Sequence, residues 1–346
     1  MELRNLGRTG MKVSPLCLGT MMFGAWGECG YDESAPVISA ALDAGINFVD
    51  TADVYSWGGC EEIVGRALEK RRDEVILASK VHYPMHPSGN APNRSGNSRR
   101  WIMRAVEDSL RRLRTDYLDI YQVHRPDPDT DLEETLQAMS DLVRSGKVRV
   151  VGTSTFPADH LVEAQWIAER HGLVRPRTEQ PPYSILNRSA EAAVLPACAR
   201  YGIGVMTWSP LSEGWLTGRY QGDIDLTAGR QRAHRTQFDP VLAGNIRKRE
   251  AVEQLTKLAA EVGCSLTHLA LAFARNHPAV TSVIIGPRRV DQLEDLLAGA
   301  DLRLEDAVLD RIDEIVAPGT MLNHADSHYL PPALTDPALR RRGAAA

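Results

Sequence analysis

Eight short apolar runs, each closing on a polar residue or a glycine and each followed by a polar or amphipathic stretch, constrain this chain more than any other feature. They are PLCLGT ending at Thr20, INFVD at Asp50, EVILASK at Lys80, YLDIYQVH at His124, VRVVGTS at Ser154, RTEQ at Gln180, IGVMTWS at Ser209 and SVIIG at Gly286. Successive ends lie 30, 30, 44, 30, 26, 29 and 77 residues apart. A strand–helix unit takes about 30 residues, so five of these gaps fit one unit each. Strands alternating with helices imply a parallel sheet, and eight of them close most naturally into a (β/α)8 TIM barrel. RTEQ is short and polar and is assigned as a strand only by its place in the repeat. A doubly wound sheet is the alternative, but no strand leads into the GxGxxG fingerprint of that fold.

The stretches between the runs read as helices. Residues 34–44 have Ser34 as a candidate N-cap and stop before Gly45. Residues 60–70, 100–113, 132–145 and 158–171 carry apolar residues at three-to-four spacing; 189–201 and 248–262 do so less cleanly. The two long gaps predict loops over 82–98 and 212–243. An N-terminal hairpin over 1–15 and a Pro-, Ala- and Arg-rich tail over 319–346 take up most of the remaining length beyond the roughly 250 residues of a bare barrel. The expectation is one domain over 1–346, with the barrel at 16–318. Both loops leave the C-terminal ends of strands, where barrel active sites sit.

Composition mainly excludes. A net charge of −5 over 346 residues gives no global attraction to nucleic acid or anionic lipid. No segment approaches the roughly 20 apolar residues of a membrane helix, and the opening lacks a signal-peptide core. Cys17, Cys29, Cys60, Cys198 and Cys264 are scattered, without CxxC spacing, and read as free thiols of a reducing cytoplasm. No Cys pair has zinc-ligand spacing, and no metal is expected.

Asp50, Lys80 and His124 close three successive strands, whose ends share one mouth. Tyr55 lies five residues past Asp50 and reaches the same place. A free phenol, with a pKa near 10, is a poor acid at neutral pH. A nearby ammonium lowers that value, an aspartate holds the ammonium in place, and an imidazole orients a carbonyl. Such a set suits protonating a carbonyl oxygen. Each member also has an ordinary reading: Asp50 as a turn cap, Tyr55 as a loop tyrosine, His124 as a satisfied core histidine. Lys80 is harder to dismiss, because burying an amine after EVILAS is costly unless it is paired. Ser154, Thr155 and Gln180 follow at the next two strand ends and suit an amide such as a nicotinamide carboxamide, though turn capping explains them too. Trp208 suits stacking on a flat ring, or a core role. Gly286 permits close backbone approach, and Arg288 and Arg289 precede a helix starting near Asp291. Phosphates bind at such helix N-termini, and a guanidinium suits a 2′-phosphate, favouring NADP over NAD. His82, His86 and His234 fall in the loops, within possible reach of a substrate. Arg111, Arg112, Arg114 and Arg340 to Arg342 read as surface charge.

At these residues the chain resembles the aldo-keto reductase superfamily from about residue 1 to 318. RNLGRTGMKVSPLCLGTMMFG is similar to that family's N-terminal hairpin and first strand, and the resemblance implies that Gly19 and Thr20 line the cofactor. DAGINFVDTADVYSWGGCEEIVGRAL, LASK and DIYQVHRPD resemble the segments around its catalytic groups, implying a tetrad of Asp50, Tyr55, Lys80 and His124 with Tyr55 the acid. GTSTF resembles the carboxamide-binding segment, implicating Ser154 and Thr155 with Gln180 beside them. WSPLSEGWLTGRY resembles the stacking strand and pyrophosphate loop, implicating Trp208, Ser209, Leu211 and Gly218. IIGPRRVDQLED resembles the adenosine-phosphate segment, implicating Gly286, Arg288, Gln292 and Asp295. Thr155 stands where the family often has asparagine, Trp208 where many members have tyrosine, and QPPYSILNR carries two prolines. The branch resembles bacterial reductases and the potassium-channel β-subunit-like group.

The resemblance implies a cytoplasmic NADPH-dependent enzyme reducing a small-molecule aldehyde or ketone to an alcohol by direct hydride transfer. Two other classes stand beside it: a barrel enzyme with Lys80 as a Schiff-base lysine, and a protein that holds NADPH as a sensor. The sequence leaves the carbonyl substrate and the oligomeric state open.

Overall fold

The computed structural model describes residues 1–341 except 87, 89–91, 221, 223 and 228. Residues 342–346 of the expected tail, Arg342 among them, lie outside the described residues, as do those four positions of the 82–98 loop and three of the 212–243 loop.

All eight apolar runs form strands. After the hairpin strands β1 (Arg4–Asn5) and β2 (Lys12–Val13) come β3 (Leu16–Gly19), β4 (Phe48–Asp50), β5 (Ile76–Val81), β6 (Leu118–Val123), β7 (Val148–Ser154), β8 (Thr178–Gln180), β9 (Gly204–Thr207) and β10 (Val280–Ile285). The last eight close into a parallel barrel in the order β10-β3-β4-β5-β6-β7-β8-β9. The polar RTEQ run supplies β8, whose three residues are buried and paired with β7 and β9.

Successive strand residues face opposite sides, and this alternation sorts the core. Cys17, Phe48, Ala78, Ile120, Met206 and Ile284 form an inner cluster with Leu6 and Val13 of the hairpin. The hairpin therefore closes the barrel's lower end. Gly7 sits there at φ +52, where a Cβ would overlap the Gly204 backbone nitrogen. Leu18, Val49, Leu77, Tyr121, Val151 and Val205 face outward into the larger layer beneath the helices. Two residues above Phe48 and Ala78 on the inner face come Asp50 and Lys80, and His124 stands four residues above Ile120.

The helices run Tyr31–Asp43, Gly59–Leu68, Arg99–Leu113, Leu132–Arg144, Ala158–His171, Val194–Tyr201, Ala243–Val262, Leu266–Asn276, Val290–Ala298 and Asp306–Ile315. Ser34 is not the N-cap of the first. That helix starts at Tyr31 after Gly30, and Ser34 is buried within it, its hydroxyl donating to the Cys29 carbonyl at 3.2 Å. Residues 189–192 form a 3-10 turn ahead of Val194–Tyr201. The expected loop 212–243 is more ordered than its composition implied, with a 3-10 segment over Ser212–Thr217 and short helices at Gly229–Ala233 and Arg235–Phe238. Part of the tail packs on the barrel's helices. Its segment His324–Ser327 is anchored by Asp326, which pairs with the fully buried Lys248 at 3.0 Å.

Candidate active site

Asp50, Tyr55, Lys80 and His124 meet at the upper mouth of the barrel. The Lys80 amine donates to Asp50 Oδ2 at 2.6 Å, to the Thr51 carbonyl at 2.8 Å and to the Tyr55 hydroxyl oxygen at 3.1 Å. Lys80 and Asp50 are buried; Tyr55 is half-buried. Gln180 donates its amide to the other Asp50 oxygen at 2.8 Å. The Tyr55 and His124 rings lie 5.9 Å apart, edge to face.

Burial alone disfavours the Lys80 ammonium, but Asp50 and Tyr55 outweigh it and raise the amine above its ordinary value. Burial raises the Asp50 carboxyl, opposed by Lys80 and Gln180. His124 is driven well below the usual range, first by burial and then by the charges of Arg125, Lys80 and His82, so it is a neutral imidazole. The expectation for Tyr55 needs correcting. Lys80 does pull the phenol down, but burial is the larger effect and the phenol is raised overall. The hydroxyl therefore holds its proton at rest, and the ammonium stabilises the phenolate that forms when the proton leaves.

The other expected contacts occupy neighbouring strand ends. Ser154 ends β7 and Thr155 follows it, both buried, and the Ser154 hydroxyl and the Thr155 N–H both donate to the Gln180 carbonyl at 3.1 Å. Thr155 has φ 56, a left-handed conformation that asparagine tolerates and a β-branched residue strains to reach. Thr20 turns its hydroxyl onto the Asp50 carbonyl at 3.0 Å, and Gly19 pairs with Asp50 across β3 and β4. Trp208 is half-buried above β9, and its indole N–H has no hydrogen-bond partner among the described residues. After it the chain passes through positive φ at Ser209, Ser212, Glu213, Gly214 and Gly218 around Leu211, a succession of tight turns. Ser209 caps its own turn through Glu213 at 2.9 Å.

At the far end, Gly286 opens onto space where even a Cβ meets nothing within 4 Å. Arg289 is tied to Asp291 at 2.7 Å, whereas Arg288 is exposed and has no ion pair among the described residues. Gln292 accepts from the Arg288 N–H at 2.9 Å. The exposed Asp295 side chain lies 3.5 Å from a His268 ring nitrogen, which also meets the Asp295 backbone carbonyl at 2.8 Å. The Arg288 guanidinium, the open Gly286, the turns after Trp208 and its indole are the groups here that could hold a cofactor. Among the described residues no group of three or more His, Cys, Asp or Glu is placed to hold a metal ion.

Of the loop histidines, His82 is half-buried against Asn97 and stacks edge to face on Tyr83, which in turn meets His124. His86 and His234 are exposed. Sequence reasoning passed over Thr51, Tyr83 and Arg125. Arg125 had a signal, since it directly follows His124.

One member of β8 supports the site from behind. Glu179, fully buried, accepts from the Thr153 hydroxyl and from the Phe156 N–H at 3.1 Å, bracing the Ser154–Thr155 turn. Burial raises its carboxyl from 4.5 to about 7, so between those values the folded chain binds more protons than the unfolded one and stability falls as pH rises. Glu179→Gln is expected to flatten that slope, by at most about 1.4 kcal/mol per pH unit. Denaturant unfolding at pH 5 and pH 7.5 checks this; parallel slopes in the two proteins would refute the assignment.

A phenol, a buried ammonium, a buried carboxyl and an imidazole gathered at the mouth of a (β/α)8 barrel form a candidate active site. Sequence comparison gives the lineage. The family model for the Aldo/keto reductase family matches residues 15–317, and the chain belongs to that family. It is 39% identical over 323 residues to the protein described as uncharacterized oxidoreductase YrpG of Bacillus subtilis, covering 91% of this chain and 96% of that one. It is 37% identical over 319 residues to aldo-keto reductase YhdN of the same organism, covering 88% and 91%. A probable voltage-gated potassium channel subunit beta of Arabidopsis thaliana is 37% identical over 333 residues, covering 91% and 97%. These relationships support carbonyl-reducing oxidoreductase activity, and the family generally uses nicotinamide cofactors. No helix among the described residues is long and apolar enough to cross a membrane.

Proposed function

We propose that this protein reduces aldehydes or ketones to alcohols with NADPH, and that Tyr55 is the general acid. The observation that carries the reading is the Lys80 amine held at 2.6 Å from Asp50 and 3.1 Å from the Tyr55 oxygen. NADPH held at this mouth would supply the hydride. Tyr55 then gives its proton to the carbonyl oxygen, Lys80 stabilises the remaining phenolate, and neutral His124 hydrogen-bonds the same oxygen and orients it. Ser154, Thr155 and Gln180 would hold the carboxamide end of the cofactor, Trp208 would stack on its ring, and the turns through Ser209, Leu211 and Gly218 would receive the pyrophosphate. Gly286, Arg288, Gln292 and Asp295 are assigned to the adenosine end.

The Schiff-base reading requires a free amine. Three hydrogen bonds and a raised pKa keep Lys80 an ammonium, which argues against it.

The choice of NADPH over NADH rests on Arg288. Arg288→Ala is expected to weaken NADPH binding about tenfold or more, as loss of a charge-assisted contact does, and NADH binding far less. Fluorescence titration of both cofactors decides; equal losses would defeat the 2′-phosphate assignment.

A further inference from the structure

Arg125 is a cation in the catalytic mouth that the proton-transfer scheme does not use. It follows His124 at the top of β6 and is half-buried. Its guanidinium donates to the His124 carbonyl at 2.6 Å and meets the Ser154 hydroxyl at 3.5 Å. It lies 5.8 Å from the Tyr83 ring centroid and 5.6 Å from that of Trp208. It thus spans the opening from β6 across β7 toward β9, beside the imidazole that faces Tyr55.

No carboxylate among the described residues pairs with it, and its Nε is buried without a partner. The acids of this region are engaged elsewhere. Asp50 is taken by Lys80. Glu179 is taken by Thr153 and the Phe156 N–H. Asp127 accepts from the Asn97 and Asp129 N–H groups and the Thr130 hydroxyl. The positive charge is consequently felt through the site: it helps depress His124 and lowers the carboxyl of Glu179 and the phenol of Tyr55 against their burial. A guanidinium kept unpaired between two aromatic faces is preorganised for an incoming planar or tetrahedral anion, which it grips through paired N–H donors.

We propose that Arg125 anchors an anionic group of the substrate, so that the preferred carbonyl compounds carry a carboxylate or phosphate. The proposal rests on the reductase reading and names the substrate class for the same mouth. Arg125 is a specificity residue in it: it binds the substrate's charged end and takes no part in the proton transfer.

The test compares charged and neutral partners in the wild type, Arg125→Met and Arg125→Lys. One arm pairs 4-carboxybenzaldehyde with methyl 4-formylbenzoate; the other pairs glyceraldehyde 3-phosphate with glyceraldehyde. The charged-to-neutral ratio of kcat/KM is read in each protein, so intrinsic aldehyde reactivity cancels between proteins. The ratio is expected to fall about 10- to 100-fold in Arg125→Met, as loss of a hydrogen bond to a charged group does, mostly through KM. Arg125→Lys should recover part of it. A fall in one arm alone assigns the anion as carboxylate or as phosphate. An unchanged ratio in both arms overturns the proposal. So does a uniform loss on all four substrates accompanied by weaker NADPH binding, which would make Arg125 a cofactor contact. If the wild type reduces none of the four, the reductase reading fails. The anchor is then read by quenching of tryptophan fluorescence with benzoate against benzamide: tighter benzoate binding lost in Arg125→Met sustains the anion site, and equal binding overturns it.

Discussion

Tyr55→Phe is expected to lose a factor of about 10²–10⁴ in kcat, the usual worth of a positioned general acid, while still binding NADPH. The substitution removes one oxygen from a half-buried ring. Lys80 keeps its bonds to Asp50 and the Thr51 carbonyl, so the ion pair beneath the site stays closed. The ring contacts of Tyr55 with Trp26 and His124 need no hydroxyl and persist. What disappears is the hydroxyl held at 3.1 Å from the Lys80 ammonium. The measurement is NADPH oxidation with an activated aromatic aldehyde, beside a fluorescence titration of the cofactor. A variant turning over near the wild-type rate would remove Tyr55 from the acid role. A variant that no longer binds NADPH would point to a structural role. Because burial raises the phenol, the acid stays protonated through neutrality, and turnover should fall only as pH climbs through that raised value.

The barrel was legible because its strands are buried on both faces and read as apolar runs, and because the helices over them carry one polar face. Where that contrast fails, so does the reading. Leu266–Asn276 buries Leu266 and everything from Leu269 to Ala274, so it lacks the polar stripe that marks a helix in sequence. The helix over Tyr31–Asp43 starts three residues before Ser34 because its N-cap is Gly30, which offers no side-chain signal. β8 was visible only through spacing; its polar residues serve the site, Gln180 inward on Asp50 and Glu179 outward on the Thr155 turn. The tetrad was legible because three of its members end successive strands. The direction of the Tyr55 shift was not, since it depends on how far burial outweighs Lys80. The commitment of Asp295 to His268 and the unpaired state of Arg125 were equally hidden, because both depend on residues far away in sequence.

Breaking the Lys80–Asp50 pair should have the largest effect on stability. Lys80→Met leaves Asp50, 3% exposed, without its counter-charge, and Asp50→Asn does the same to an ammonium with no exposure at all. Removing one partner of a buried pair costs about 3–5 kcal/mol, whereas replacing both by neutral groups of similar shape is often nearly neutral. The double variant Asp50→Asn/Lys80→Met should therefore be more stable than either single variant, with a coupling of at least about 2 kcal/mol by denaturant unfolding. Additive losses would mean that the two charges do not depend on each other. Activity should follow a different pattern. All three variants are expected to lose turnover: two lack the ammonium that stabilises the phenolate, and Asp50→Asn frees the amine to shift away from Tyr55 or give up its proton. A double variant that regains both stability and rate would show that Lys80 is present to neutralise Asp50 and that Tyr55 needs no cation. A double variant that regains stability alone separates the two roles, with the pair closing the barrel's mouth and the ammonium within it serving the proton transfer.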